Sequence, residues 1–307
     1  MLRNCQKLIA IYVLVTSILL CISASSHAKT LLKIVATTSV LGDAIRNIVG
    51  DKAQVICLMG PGVDPHAYKA TARNIQDLMK ADIIFYNGLH LEGKLADILA
   101  KFSKQKPVYA ASDGIESGQY LGDLQAADGI DPHIWFDISL WRQAVQYISR
   151  QLQLIDLSAV SYYQENTKNY LQTLDDLHEE VKKMIQSIPK MQRVLITAHD
   201  AFSYFGRAYD IEVKGLQGIS TVEECGLLDI INLTDFMVHR RIKAIFPEHS
   251  VPSRPLLAVV EGCRKKGHQV ILGVELYSDA LGTAGTPEGT YIGMIETNVK
   301  TIVDALK

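Results

Sequence analysis

Two copies of one tripeptide, Asp64-Pro65-His66 and Asp131-Pro132-His133, each place an imidazole in a loop after a predicted strand. A third histidine, in Thr197-Ala198-His199-Asp200, ends another predicted strand, and Asp279, in Tyr277-Ser278-Asp279, follows the segment that ends at Glu275. Three imidazoles and one carboxylate are the ligand inventory of a divalent transition metal. The candidate ligands are therefore His66, His133, His199 and Asp279.

Proline accounts for part of their placement. Pro65 and Pro132 fix their own φ and push the preceding aspartate towards extended backbone, so each histidine emerges from a stiffened loop at little entropic cost. Asp64 and Asp131 read first as turn residues that accept a loop amide, and second as carboxylates that orient an imidazole. His249, in Phe246-Pro247-Glu248-His249, also ends a strand and stands as a spare or supporting group near the site. His90, His178, His239 and His268 read as surface or capping residues. His178 lies among Asp175, Asp176, Glu179 and Glu180 and is expected on a solvated helix face.

The elements that must hold these loops alternate. Short apolar strands at 32–37, 54–59, 83–86 and 107–110 are separated by helical stretches at 43–49, 72–81 and 92–102, which is a βαβ pattern and hence a parallel sheet. The alternation resumes with strands at 193–197, 212–216, 244–246 and 269–274 and closes with a helix over 290–306. Between the two runs, 158–188 holds no Gly or Pro and repeats apolar residues three or four apart: Tyr163, Tyr170, Leu174, Leu177, Val181, Met184 and Ile188. This predicts one long helix that joins two α/β lobes, 29–157 and 189–307, as a packed strut rather than a coiled-coil face. Open α/β sheets bind ligands beyond the carboxyl ends of their strands, so an ion held by all four ligands lies in the cleft between the lobes.

Composition agrees with this reading and removes others. A chain of 307 residues, 48% hydrophobic and 21% charged, is long enough for two cores. A net charge of −2 without a basic stripe gives no electrostatic case for nucleic acid or an anionic membrane as partner. Beyond residue 28 only Cys57, Cys225 and Cys263 remain, without CxxC spacing, so neither a disulfide framework nor a thiolate zinc site is indicated. Cys57, in an apolar run, reads as a buried strand thiol.

Residues 1–28 belong to a different class. Arg3 and Lys7 precede an apolar run of about 15 residues, short of the roughly 20 that span a bilayer. Ser26-His27-Ala28 then offers small residues at a cleavage site, so the segment reads as a secretory signal peptide and the product as periplasmic. Leu20 before Cys21 argues against acylation of that cysteine, and the product is expected to lack a lipid anchor.

Several longer stretches carry a family resemblance over nearly all of the chain beyond the leader. They are 59–66 (Met-Gly-Pro-Gly-Val-Asp-Pro-His), 86–92 (Tyr-Asn-Gly-Leu-His-Leu-Glu), 131–137 (Asp-Pro-His-Ile-Trp-Phe-Asp), 197–202 (Thr-Ala-His-Asp-Ala-Phe), 215–221 (Gly-Leu-Gln-Gly-Ile-Ser-Thr) and 289–294 (Gly-Thr-Tyr-Ile-Gly-Met). Together they resemble the TroA-like family of zinc/manganese solute-binding proteins, the extracytoplasmic components of metal ABC importers. The resemblance implies a metal held between two α/β lobes joined by a long backbone helix, with His66, His133, His199 and Asp279 as ligands. It also implies delivery to a membrane permease served by a cytoplasmic ATPase. The binding protein itself is expected to be a monomer.

Two departures bear on the metal. The third ligand is His199 where many manganese-type members carry Glu, and no His/Asp-rich loop of the dedicated zinc members interrupts the first lobe. The ligand set and the Irving–Williams order favour zinc in vitro, while a bidentate Asp279 would admit manganese or ferrous iron as cargo.

Two other readings remain at the level of sequence. A zinc-dependent hydrolase would need an open coordination position, and HExxH is absent, with no nucleophile or base placed by a motif. A periplasmic metal buffer or adhesin would carry the same ligands. An intrinsic ATPase is not indicated, because 282–286 is glycine-rich but lacks the lysine of a phosphate-binding loop.

Overall fold

Short runs of apolar residues build the first sheet, and their alternation assigns each residue to a face. The computed structural model describes residues 31–122, 129–223 and 225–307, so the proposed leader and Cys21 lie outside the described residues. Strands β1 (Leu32–Ala36), β2 (Ala53–Cys57), β3 (Ile83–Tyr86) and β4 (Val108–Ala110) form a parallel sheet in the order β2-β1-β3-β4. Ile34, Ala36, Ile83 and Phe85 enter one apolar cluster with helix α1 (Ser39–Val49). Val35 and Ile84 enter another with helices α2 (Ala72–Lys80) and α3 (Ala96–Phe102). Both faces are covered, which is why residues 34–36 of β1 and Ile83–Tyr86 of β3 read as continuous apolar runs.

Helix α1 starts at Ser39 rather than Asp43, because the Thr38 hydroxyl accepts the Leu41 amide and caps the first turn. Gly50 ends it with φ +52°. Glu92, expected in a helix, precedes a single 3-10 turn at Gly93–Leu95 and turns its carboxylate inward.

Helix α4 (Ile138–Ile155) leads into the long helix α5 (Val160–Gln186), whose 27 residues span about 40 Å. Its buried stripe is Tyr163, Thr167, Tyr170, Leu174, Leu177, Val181 and Ile185. Two positions differ from expectation. Ile185 replaces Met184, since it continues the four-residue step from Val181, and Thr167 joins because its hydroxyl lies 2.6 Å from both the Tyr163 carbonyl and Ser149 Oγ. His178 is half-buried rather than solvated, its Nδ1 standing 3.0 Å from the Tyr209 hydroxyl. A neighbouring helix supplies that partner, which the acidic residues around His178 do not reveal.

Parallel strands recur after α5. β5 (Val194–His199) pairs with β6 (Glu212–Gln217), and β7 (Ala244–Ile245) with β8 (Ile271–Leu272). The Phe246 amide donates to the Ile196 carbonyl and sets β7 beside β5. β8 is shorter than the expected strand, but its pairing resumes at the Glu248–Leu276 bridge, which carries the chain to Asp279. Helices α6 (Ser203–Tyr209), α7 (Leu227–Arg240), α8 (Arg254–Lys265) and α9 (Tyr291–Leu306) complete this half. Val194 and Ile196 pack with Leu233, Met237, Leu256 and Val259 in a separate core under α7 and α8. The largest core, by contrast, runs from the first sheet through α5 to Phe202, Tyr204 and α9. The expected α/β architecture with one long helix is thus present, and α5 is a packed strut.

Cys57, Cys225 and Cys263 are free thiols. Cys57 is half-buried rather than fully buried, with Arg46 Nη2 3.2 Å from its sulfur. Among the described residues no helix is long and apolar enough to cross a membrane.

Candidate metal centre

Three of the four candidate ligands lie at or beyond the carboxyl ends of parallel pairings, whereas His133, expected after a strand, follows only an isolated antiparallel bridge at Ile130. His66 follows β2, His133 opens the 3-10 turn Ile134–Phe136 ahead of α4, His199 is the last residue of β5, and Asp279 follows the Glu248–Leu276 bridge. Their ligand atoms lie within 4.8 Å of one another, and all four residues are buried. His133 Nε2 stands 3.3 Å from both His66 Nε2 and His199 Nε2. Asp279 Oδ1 is 3.4 Å from His133 Nε2, and its Oδ2 is 3.5 Å from His199 Nε2. Donors bound at 2.0–2.1 Å around one tetrahedral ion stand about 3.3 Å apart, so these spacings match the edges of such a site. Among the described residues Asp279 Oδ1 is buried without a hydrogen-bond partner, a costly arrangement unless a cation faces it.

Carboxylates behind the ring set which imidazole nitrogen points inward. Asp131 Oδ1 accepts the His133 amide at 2.9 Å and lies 2.7 Å from Nδ1, so Nδ1 keeps its proton against the carboxylate and Nε2 is the nitrogen left to bind a metal. Burial opposes a charge on His133, but the Asp131 carboxylate outweighs it, with Asp279 adding, and holds the ring at about 9. Burial opposes a charge on His199 as well, and Glu248 followed by Asp279 lifts it well above the usual value. His66 has no such carboxylate against its ring. Burial drives it down to about 3, with Asp279 opposing and the other two histidines adding. Burial also works against the Asp279 charge, yet His199 and His133 hold that carboxyl well below its ordinary range. Asp131, Glu248 and Asp279 thus surround the rings with negative charge that protons on His133 and His199 balance in the metal-free chain and that a divalent cation would balance on displacing them.

The two Asp-Pro-His copies differ in tertiary role. Asp131 serves as both turn residue and ring partner. Asp64 Oδ1 accepts the His66 amide at 2.8 Å, which is the expected turn role, and its Oδ2 receives the Thr221 hydroxyl at 2.6 Å instead of an imidazole. His249 is exposed, its ring tilted against Tyr277 with centroids 5.1 Å apart and 3.6 Å from Glu275, outside the four-ligand cluster.

Its neighbour Glu248 is the supporting residue that sequence reasoning missed. Oε1 accepts the His199 amide at 2.8 Å and Oε2 stands 2.6 Å from Nδ1. One signal pointed there: the residue two before His199 is Thr197, where the other two histidines have Asp. A carboxylate for His199 therefore had to come from elsewhere in the chain. Asn87 and Glu92, within the 86–92 stretch, support the second loop. Asn87 Nδ2 donates to the Pro132 carbonyl at 2.9 Å, and Glu92 Oε1 accepts the Asn87 amide at 2.7 Å and the Thr37 hydroxyl at 2.6 Å.

Residues 34–305 match the family model described as zinc-uptake complex component A, periplasmic, ZnuA. The chain belongs to this family. Manganese-binding lipoprotein MntA of Bacillus subtilis is 46% identical over 287 residues, which cover 93% of each chain. Zinc-binding protein TroA of Treponema pallidum is 44% identical over 283 residues, covering 92% of this chain and 91% of its own. The solved structure of periplasmic TroA superposes with a TM-score of 0.88 over 90% of this chain and 99% of its own, at 42% identity. Manganese ABC transporter substrate-binding lipoprotein PsaA of Streptococcus mitis is 28% identical and covers 98% of this chain and 99% of its own. None of these ZnuA-family names is an enzyme's, which leaves the hydrolase reading without support. MntA and PsaA are named lipoproteins, which runs against the expectation, drawn from Leu20, that a lipid anchor is absent.

Proposed function

We propose that this chain is the extracytoplasmic solute-binding component of a metal ABC importer, which captures one divalent transition-metal ion and hands it to a membrane permease driven by a cytoplasmic ATPase. It is a transport component and catalyses no reaction. The observation that carries this reading is the convergence of four buried ligand atoms, from His66, His133, His199 and Asp279, within 4.8 Å.

His66 and His133 come from the half before α5 and His199 and Asp279 from the half after it, so an ion bound by all four ties two lobes together. We assign the lobes to 29–157 and 189–307, with 158–188 as the linking helix and 1–28 as an export leader. Export to the periplasm and a monomeric state complete the proposal.

Three imidazoles and a carboxylate at tetrahedral spacing suit zinc, which the Irving–Williams order ranks above manganese and iron. Both Asp279 oxygens face the ligand cluster, so a bidentate carboxylate could raise the coordination number for manganese or ferrous iron. MntA and TroA are named for different metals, so affinity in vitro and physiological cargo need not coincide.

Chelator-stripped protein reloaded with zinc, manganese or ferrous iron tests the site. The expected result is one tightly held ion per chain, lost in Asp279→Ala. Absence of stoichiometric metal overturns the proposal. Loss of metal-limited growth on deletion, restored by wild type but not by His133→Ala, separates import from simple buffering.

A further inference from the structure

The loop that carries His66 is gripped from across the site at two points. Thr221, in the segment after β6, donates its hydroxyl to Asp64 Oδ2 at 2.6 Å, while the other Asp64 oxygen accepts the His66 and Ala67 amides at 2.8 and 3.4 Å. The His249 ring meets the same loop at Gly62, where an added Cβ would stand 3.2 Å from its Nε2. Gly62 has φ +68°, so a side chain there would be strained as well as crowded.

The other two histidines are held differently. His133 and His199 are fully buried and each has a carboxylate against Nδ1, whereas His66 is 6% exposed and has none. Its backbone is anchored through Asp64, and one oxygen of Asp64 is committed to Thr221.

We propose that the Asp64–Thr221 hydrogen bond is a latch that positions His66 and sets how long the metal ion stays bound, an inference that rests on the metal-capture reading above. Thr221 is not one of the four candidate ligands. It acts through Asp64: with the bond made, the His66 amide stays fixed and the two halves of the site stay closed on the ion. With the bond broken, the His66 loop is free to separate while His133, His199 and Asp279 keep their supports. The latch therefore governs release more than capture, because an encounter complex forms before the loop closes over it. A bond from hydroxyl to carboxylate is strong enough to change a dissociation rate by about tenfold.

The test is stopped-flow release of zinc into excess chelator, with association measured in parallel, on the full chain and its Thr221→Val, Thr221→Ser and Asp64→Asn variants. Thr221→Val and Asp64→Asn are expected to release zinc about tenfold faster with association changed less than about twofold, and Thr221→Ser to stay within about twofold of wild type. A Thr221→Val release rate equal to wild type, or a Thr221→Ser rate as fast as Thr221→Val, overturns the latch while leaving metal capture standing. Failure of the wild-type chain to hold zinc overturns both.

Discussion

Glu248 meets His199 with both carboxylate oxygens, Oε1 accepting the backbone amide at 2.8 Å and Oε2 standing 2.6 Å from ring Nδ1. One side chain thus fixes the position of the β5 terminus and the direction of its imidazole. Glu248→Gln keeps the shape but removes the charge, and metal affinity is expected to fall about 10- to 100-fold. Competition against a chelator of known strength measures this, and an unchanged affinity would remove Glu248 from the site.

Gly215 lies in β6 directly against the strand end that carries His199. A Cβ there would meet the Asp200 amide nitrogen at 2.5 Å, the His199 carbonyl carbon at 2.6 Å and the Gln217 oxygen at 2.7 Å, all backbone atoms with no rotamer to yield. Gly215→Ala is expected to destabilise by about 2 kcal/mol and to weaken metal binding by displacing His199. Thermal melting and metal titration check the two effects, and a variant that matches wild type in both refutes the close approach.

Burial is the leading influence on Glu92, and it raises the carboxyl above its ordinary value of 4.5 despite hydrogen bonds from Thr37, Asn87 and Gly88. A carboxyl whose folded value is raised takes up a proton more readily in the folded chain. Stability therefore rises as pH falls through that raised value and levels off below 4.5. Glu92→Gln is neutral at every pH, so the melting temperature of metal-free wild type should gain on that of the variant between pH 8 and pH 5. A constant difference across that range contradicts the assignment.

Metal should act on stability through the same four residues. An ion bound only by the folded chain adds about 4 kcal/mol at a thousandfold excess over its dissociation constant. Zinc is therefore expected to raise the melting temperature of wild type and a chelator to reverse the gain. Asp279→Ala should show little of either. An equal zinc response in wild type and variant would place the ion elsewhere.

The four candidate ligands were legible in the sequence because their constraints are local. Pro65 and Pro132 act on adjacent residues, and an apolar run of strand length carries His199 to the end of β5, while no strand precedes His133 directly. The long helix was legible too, since its stripe is a periodicity, although the burial of Ile185 in place of Met184 depended on what packs against it.

What the sequence determined by itself was the alternating α/β pattern, the joining helix and the four candidate ligands that the fold brings together, each written in neighbouring residues or in a repeat. Tertiary structure alone decided how the carboxylates are shared. Asp131 and Asp64 stand in identical tripeptides, yet one turns to its own histidine and the other reaches Thr221, 157 positions away. Glu248 finds His199 across 49 positions with no local motif to announce it. Apolar burial is non-directional and leaves a repeating trace in the chain, whereas a polar pair depends on two distant backbones arriving within about 3 Å, a condition that only the assembled fold imposes.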